Sequence, residues 1–184
     1  MYNISYFLPQ KTVTWKLEQN NEDNDNPTYT LTISGTGAMS DFVIKPTDLR
    51  PWGGEYCGKI TQINLSEGIT VIGSYAFCRL TNSESCEIPA SIIEIKNDAF
   101  SGAGFTNLAF EKNCQLKTIG NGAFYGSSNL EIDFVIPDSV ESIGNLAFQG
   151  SGIKSLTIGS GVKNIGGSVS LRVGTTMHNS PQIR

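Results

Sequence analysis

The dipeptide Ala-Phe recurs at Ala76-Phe77, Ala99-Phe100, Ala123-Phe124 and Ala147-Phe148, at spacings of 23, 24 and 24 residues. An isoleucine stands four positions ahead of each alanine, at Ile72, Ile95, Ile119 and Ile143, and recurs at Ile165. Glycine follows four of these five, at Gly73, Gly120, Gly144 and Gly166, and returns two positions past the phenylalanine at Gly102, Gly126 and Gly150. This period is the strongest constraint on the fold. A unit of about 23 residues cannot bury its own apolar face, and stacking successive units merges those faces into one continuous core.

Eight to ten residues past each phenylalanine comes a short alternating segment: Cys86-Glu87-Ile88, Leu108-Ala109-Phe110, Phe134-Val135-Ile136 and Leu156-Thr157-Ile158, with Ile63-Asn64-Leu65 opening the series. In-out-in alternation is the strand period, so equivalent segments are expected to pair in parallel, about 4.8 Å apart. The reading is a β-rich solenoid of about five right-handed turns of 22–26 residues with short parallel strands. The glycines after the isoleucines and after the phenylalanines are expected to serve turns that need positive φ. Pro89 and Pro137 close their strands. The third turn carries two extra residues between Leu108 and Ile119, so the polar stretch Glu111–Gln115 is expected to bulge as a loop.

The segments Ile119-Gly120-Asn121-Gly122-Ala123-Phe124-Tyr125-Gly126, Ile143-Gly144-Asn145-Leu146-Ala147-Phe148-Gln149-Gly150 and Ile136–Ile143 resemble BspA-like leucine-rich repeats, over roughly residues 60–166. The resemblance implies a leucine-rich-repeat solenoid, an extracellular or cell-surface location, and a role in adhesion and interaction. The family often places cysteine three positions after the phenylalanine. Leu80, Ala103, Ser127 and Ser151 stand there instead, so no buried cysteine stack is expected.

The flanks do not repeat. In residues 1–59, Val13, Trp15 and Leu17 alternate, as do Tyr29, Leu31 and Ile33, across the polar stretch Asn20–Pro27. This predicts a β-hairpin, and an open solenoid end needs such a cap. Trp15 and Trp52 are the cap candidates, and the segments Leu31–Met39 and Pro51-Trp52 resemble the family's N-terminal cap. The repeats then occupy 60–166. In residues 167–184 no Ala-Phe follows Ile165; Ser168–Val173 is a candidate closing strand and Thr175–Arg184 a loose polar tail.

Thirteen basic and 17 acidic residues give a net charge of −4, so no basic field exists to hold nucleic acid. No stretch approaches the roughly 18 apolar residues of a membrane helix, which argues against membrane insertion. Met1–Gln10 does not read as a signal peptide. Cys57, Cys78, Cys86 and Cys114 form no C-x-x-C pair, and His178 is the one histidine. Zinc-site spacing is therefore absent, free thiols are expected, and no metal or cofactor is implied.

Isolated motifs read as structure rather than chemistry. Gly53–Lys59 fits G-x-x-x-x-G-K, but Ile60 replaces the metal-binding hydroxyl and no apolar strand leads in. Gly35-Thr36-Gly37 lacks the third glycine of a dinucleotide site. Glu22, Asp23 and Asp25 offer carboxylates of the kind calcium takes, but without EF-hand spacing they read as a solvated turn. Asn3-Ile4-Ser5 and Asn64-Leu65-Ser66 match the glycosylation sequon and carry no weight alone. A nucleophile would lack a base, since His178 lies in the predicted tail. Glu87 and Glu111 can stack, but their predicted setting is an open strand face rather than a cleft. No enzyme is expected.

What remains is the strand face. Its outward positions are Gln62, Asn64, Glu87, Asn107, Ala109, Asp133, Val135, Ser155 and Thr157, a polar and mildly acidic set. They are the candidate binding residues for a protein or glycan partner, with Tyr75 and Tyr125 offering aromatic contacts on another side. The competing expectation is a structural spacer or truncated array with no ligand, associating with itself through its C-terminal end.

Overall fold

The computed structural model describes residues 12–168 and 176–179. The strands are β1 (Val13–Gln19), β2 (Tyr29–Gly35), β3 (Gly37–Ala38), β4 (Ile60–Leu65), β5 (Ile69–Ile72), β6 (Ser85–Ile88), β7 (Glu94–Ile95), β8 (Asn107–Phe110), β9 (Thr118–Ile119), β10 (Asp133–Val135), β11 (Ser142–Ile143), β12 (Ser155–Ile158), β13 (Asn164–Ile165) and β14 (Thr176–Asn179). They wind into a parallel β-solenoid of about five turns. Each turn contributes a longer strand to one wall and a two- to four-residue strand to another. The expected hairpin is present: β1 pairs antiparallel with β2, and β2 pairs in parallel with β4, which joins the hairpin to the first wall.

The Ala-Phe corners build the core. Phe77, Phe100, Phe124 and Phe148 stack with ring centroids 5.3 Å apart at every step, and Trp52 lies 6.2 Å beyond Phe77 as an additional rung. All five are buried. At each corner the backbone N–H groups of one turn donate to carbonyls of the next; Phe77 N–H reaches Ala99 O at 2.7 Å and Phe100 N–H reaches Ala123 O at 2.8 Å. The first corner has no preceding Ala-Phe corner to occupy the carbonyls of Tyr75, Ala76 and Cys78. Trp52 Nε1 donates to Ala76 O at 2.8 Å, and Arg50, 4% exposed, donates to the carbonyl oxygens of Tyr75, Ala76 and Cys78. These side chains replace the missing donors, as buried carbonyls require. Asp48 holds the guanidinium at 2.5 Å, and the Arg50 hydrogen bond draws the Asp48 carboxyl down from its ordinary 3.8 to about 2.

Of the two sets of glycines, one meets the expectation and the other does not. Those after the phenylalanines, Gly102, Gly126 and Gly150, have φ of 64°, 67° and 71°, as predicted. Those after the isoleucines are not in the left-handed region. They are needed because the turn beneath comes too close: a Cβ on Gly144 would lie 2.5 Å from Asn121 N. The positive φ instead falls just before each alanine, on Tyr75, Asp98, Gly122 and Leu146.

The candidate closing strand Ser168–Val173 lies, beyond Ser168, outside the described residues, as does Asn3. The tail was expected to be loose from Thr175, yet β14 lies within it and pairs in parallel with β12, setting His178 beside Thr157.

Candidate functional site

Two walls share one core but differ in continuity. The short strands form a six-stranded sheet in the order β13-β11-β9-β7-β5-β3. The longer strands form two sheets, β1-β2-β4-β6-β8 and β10-β12-β14. The expected ladder is thus broken between β8 and β10, a correction to the continuous strand face. Its cause is chain length. Twenty-two residues separate Ser85 from Asn107, and again Asp133 from Ser155, but 26 separate Asn107 from Asp133. The surplus is shared between the loop after β8 and the loop before β10. The sequence reading caught the first of these.

The break opens a cleft of about 610 Å³, lined by Leu108–Glu111, Asn113 and Cys114 on one side and by Asp133–Val135 and Pro137–Ser139 on the other. Aromatics line its base: Phe110 and Phe134 meet edge-to-face at 5.6 Å, and Phe134 also packs on Phe124 and Phe148 in the core. The neighbouring turns carry Leu108 and Leu156 at the position of Phe134. Glu111, expected on an open face, lines the cleft wall.

The strand polarity exposes backbone here. On β8 and the residue after it, the N–H groups of Asn107 and Glu111 donate towards β6, to Glu84 O and Ile88 O. Alternate residues of a parallel strand face opposite neighbours, so the N–H and C=O groups of Leu108 and Phe110 face the gap. On either side of β10, Ile136 N–H donates to Thr157 O and Ile132 O accepts from Lys154 N–H. Asp133 and Val135 therefore turn their backbone groups to the gap from the other side. Among the described strands, none pairs with either edge.

All nine predicted face residues point outward. Gln62, Asn64, Glu87, Asn107, Ala109, Asp133 and Val135 are exposed; Ser155 and Thr157, on the strand that β14 flanks, are half-buried. The structure brings them together as two groups rather than one. Gln62, Asn64, Glu87, Asn107 and Ala109 lie on the first sheet, and Asp133, Val135, Ser155 and Thr157 on the second. Gln62 Nε2 donates to Asn64 Oδ1 at 3.1 Å, and Ser155 Oγ donates to Asp133 Oδ1 at 2.6 Å. The cleft residues Phe110, Glu111, Asp138 and Ser139 were missed; the 26-residue interval was the signal that marked them. Tyr125 is exposed and Tyr75 half-buried, apart from this wall.

The electrostatics of the site are one-sided. Among the described residues, Glu87, Glu111, Asp133 and Asp138 make no ion pair, whereas the lysines pair elsewhere, with Lys117 and Lys163 both on Glu141 and Lys96 on Asp41. No lysine or arginine lines the cleft. The Ser160 N–H, donating to Asp138 Oδ1 at 2.6 Å, holds that carboxyl below its ordinary range. The cysteines are free thiols. Burial pushes Cys114, in the cleft, above its ordinary value and Cys86 up to about 12, so neither is a thiolate nucleophile at neutral pH.

The other candidate motifs are structural. Gly54 N–H, in the G-x-x-x-x-G-K stretch, faces the Asp48 carboxylate at 3.4 Å, which occupies the place an anion would take. That stretch forms a three-residue 3-10 turn and precedes a strand instead of following one. Asp23 Oδ1 accepts the N–H groups of Asp25 and Asn26, an acid used to close its own turn.

A family model described as the BspA type leucine rich repeat region matches residues 55–170 in six copies. Among solved structures, the chain is similar to a leucine-rich repeat protein from Eubacterium ventriosum ATCC 27560, at 27% identity and TM-score 0.72, over 90% of this chain and 40% of that one. It also resembles the pneumococcal vaccine antigen PcpA, at 19% identity and TM-score 0.53, over 87% and 50% of the two chains. A leucine rich cell surface protein from Faecalibacterium prausnitzii A2-165 matches at 17% identity and TM-score 0.51, over 97% and 55%. The latter two establish fold likeness alone. The chain thus spans about half the length of these relatives, or less. No curated protein matches the sequence.

Proposed function

Because the chain belongs to the BspA-type leucine-rich repeat family, we propose that it is a non-catalytic binding module of a secreted or cell-surface protein, adhesion-type, which takes a protein or glycan partner on the strand wall. The observation that carries this reading is an exposed strand wall whose carboxylates Glu87, Glu111, Asp133 and Asp138 have, among the described residues, no cation of their own. The surface assignment is supported by the description of one fold neighbour as a cell surface protein. The non-catalytic reading is supported by the raised thiols. An acidic wall also disfavours nucleic acid.

The test is a screen of the purified chain against a glycan array and a panel of immobilised extracellular matrix proteins, repeated with Glu87→Lys/Asp133→Lys. At least one interaction is expected, weakened about tenfold by the charge reversal. Silence across the screen, or binding indifferent to the reversal, refutes the reading.

A second reading, a structural spacer that associates with itself, draws on the C-terminal end. Among the described strands β13 is the outermost of its sheet, and its Ile165 is 48% exposed. It predicts concentration-dependent association in sedimentation equilibrium that Ile165→Lys abolishes. A strict monomer at all concentrations removes it.

A further inference from the structure

We propose that the cleft between β8 and β10 is the focus of recognition, and that its occupant is an extended peptide segment carrying a lysine or arginine; this rests on the binding-module reading. Three independent features converge there. The first is backbone valence. Leu108 and Phe110 on one side, and Asp133 and Val135 on the other, present strand-edge N–H and C=O groups that no described strand uses. An unpaired edge is a template for an added strand, which supplies affinity through main-chain hydrogen bonds.

The second is shape. The wall is closed wherever the repeat is 22 or 23 residues long and opens at the single 26-residue interval, where the Phe110–Phe134 pair gives the cleft an apolar floor. A flat sheet offers an extended chain no such seat. The third is charge. Glu111, Asp133 and Asp138 line the cleft and no basic side chain does. The hydroxyl oxygen of Ser139, also in the wall, is shielded from solvent and has no hydrogen-bond partner. An acyclic peptide backbone suits the edges, a cationic side chain suits the three carboxylates, and an apolar neighbour on that peptide suits the aromatic floor. A neutral glycan offers neither the alternating N–H and C=O ladder nor the positive charge.

The test measures fluorescence anisotropy of the full chain with labelled, acetylated and amidated pentapeptide mixtures that are free of proline. One mixture has a central lysine, a second a central glutamate, and a third the lysine with alternate backbone amides N-methylated. The lysine mixture is expected to bind at least about tenfold more tightly than the glutamate one, and to weaken as salt rises. N-methylation, which removes main-chain donors, is expected to cost a comparable factor. Asp133→Asn/Asp138→Asn, with an unchanged unfolding midpoint as the folding control, is expected to erase the preference for lysine. Equal binding of lysine and glutamate mixtures, indifference to N-methylation, or silence of all three overturns the assignment. If the glycan and matrix screen, repeated with Glu87→Lys alone, then still gives a partner sensitive to that change, only the cleft assignment falls; if that screen is silent as well, the binding-module reading falls with it.

Discussion

The two walls of this solenoid make an internal comparison. They are built from the same turns around the same phenylalanine stack, yet the short-strand wall runs unbroken through six strands while the long-strand wall splits in two. The rings from Phe77 to Phe148 keep a 5.3 Å step across the split. The core therefore does not open; only one wall does. On the unbroken wall, side chains reinforce the register. Asn97 Oδ1 accepts the N–H of Asn121, Asn121 Oδ1 that of Asn145, and Asn145 Oδ1 that of Gly167, at 2.7–2.8 Å. No such ladder spans β8 and β10, where two longer loops flank the break. A ladder closes where each turn returns the chain to a fixed height, and a few extra residues on one side are enough to prevent this without disturbing the stack.

The largest expected effect comes from removing what both walls share. Phe124→Ala takes out the ring between Phe100 and Phe148 and should cost about 3–5 kcal/mol by urea unfolding. A loss below about 1 kcal/mol would show that the walls, not the stack, hold the array together.

Asp48 tests the N-terminal end, where side chains stand in for a missing turn. Its folded-state value, about 2, lies below the ordinary 3.8 of an unfolded chain. Its contribution, on the order of 2 kcal/mol, is thus fully present above pH 3.8 and lost as pH falls towards 2. Asp48→Asn should lower the unfolding midpoint at pH 6 and leave it nearly unchanged at pH 2 relative to the parent. A deficit that persists undiminished at pH 2 would remove the ionic account.

Gly144→Ala strikes the unbroken wall selectively. The added methyl meets Asn121 backbone at 2.5 Å, and overpacking of this kind costs about 1–3 kcal/mol. Amide exchange should quicken at Gly144 and Gly120 before it quickens in β6 or β12. Uniform quickening would mean that the walls are not separable.

The gentlest test changes no residue. In the parent chain, the amides of Lys96, Gly120 and Gly144, which donate across the unbroken wall, should exchange slowly. Those of Leu108, Phe110, Asp133 and Val135 should exchange fast, and slow down when the cleft is filled. Equal protection in the two sets would close the gap and end the comparison.

Much of this architecture is legible in the residues. The Ala-Phe period places the stack, the alternation at Cys86–Ile88 and its equivalents places the strands, and Trp15 and Trp52 mark the cap. These are local patterns repeated in register, so each turn restates the same information. Arg50 was not legible, because its role depends on carbonyls 25 to 28 residues away that only the fold brings to it. The glycines after the isoleucines were visible, but the reason for them was not. A close approach between turns is a tertiary distance, whereas a positive φ is a local property.

The candidate site divides in the same way. The outward positions of the strand wall follow from strand alternation alone, so all nine were readable. The extra residues at Glu111–Gln115 were also readable, as a bulge. What they do to the sheet was not, because a loop's length says nothing about which neighbouring ladder it breaks. By itself, then, the sequence determined a stacked, phenylalanine-cored β-solenoid with an acidic outer wall, since periodic burial of apolar side chains leaves few other solutions. Only the tertiary structure decided that this wall is two sheets with a cleft between them, because strand pairing depends on the height at which each turn returns, and that height is set jointly by the loops and the neighbouring turns.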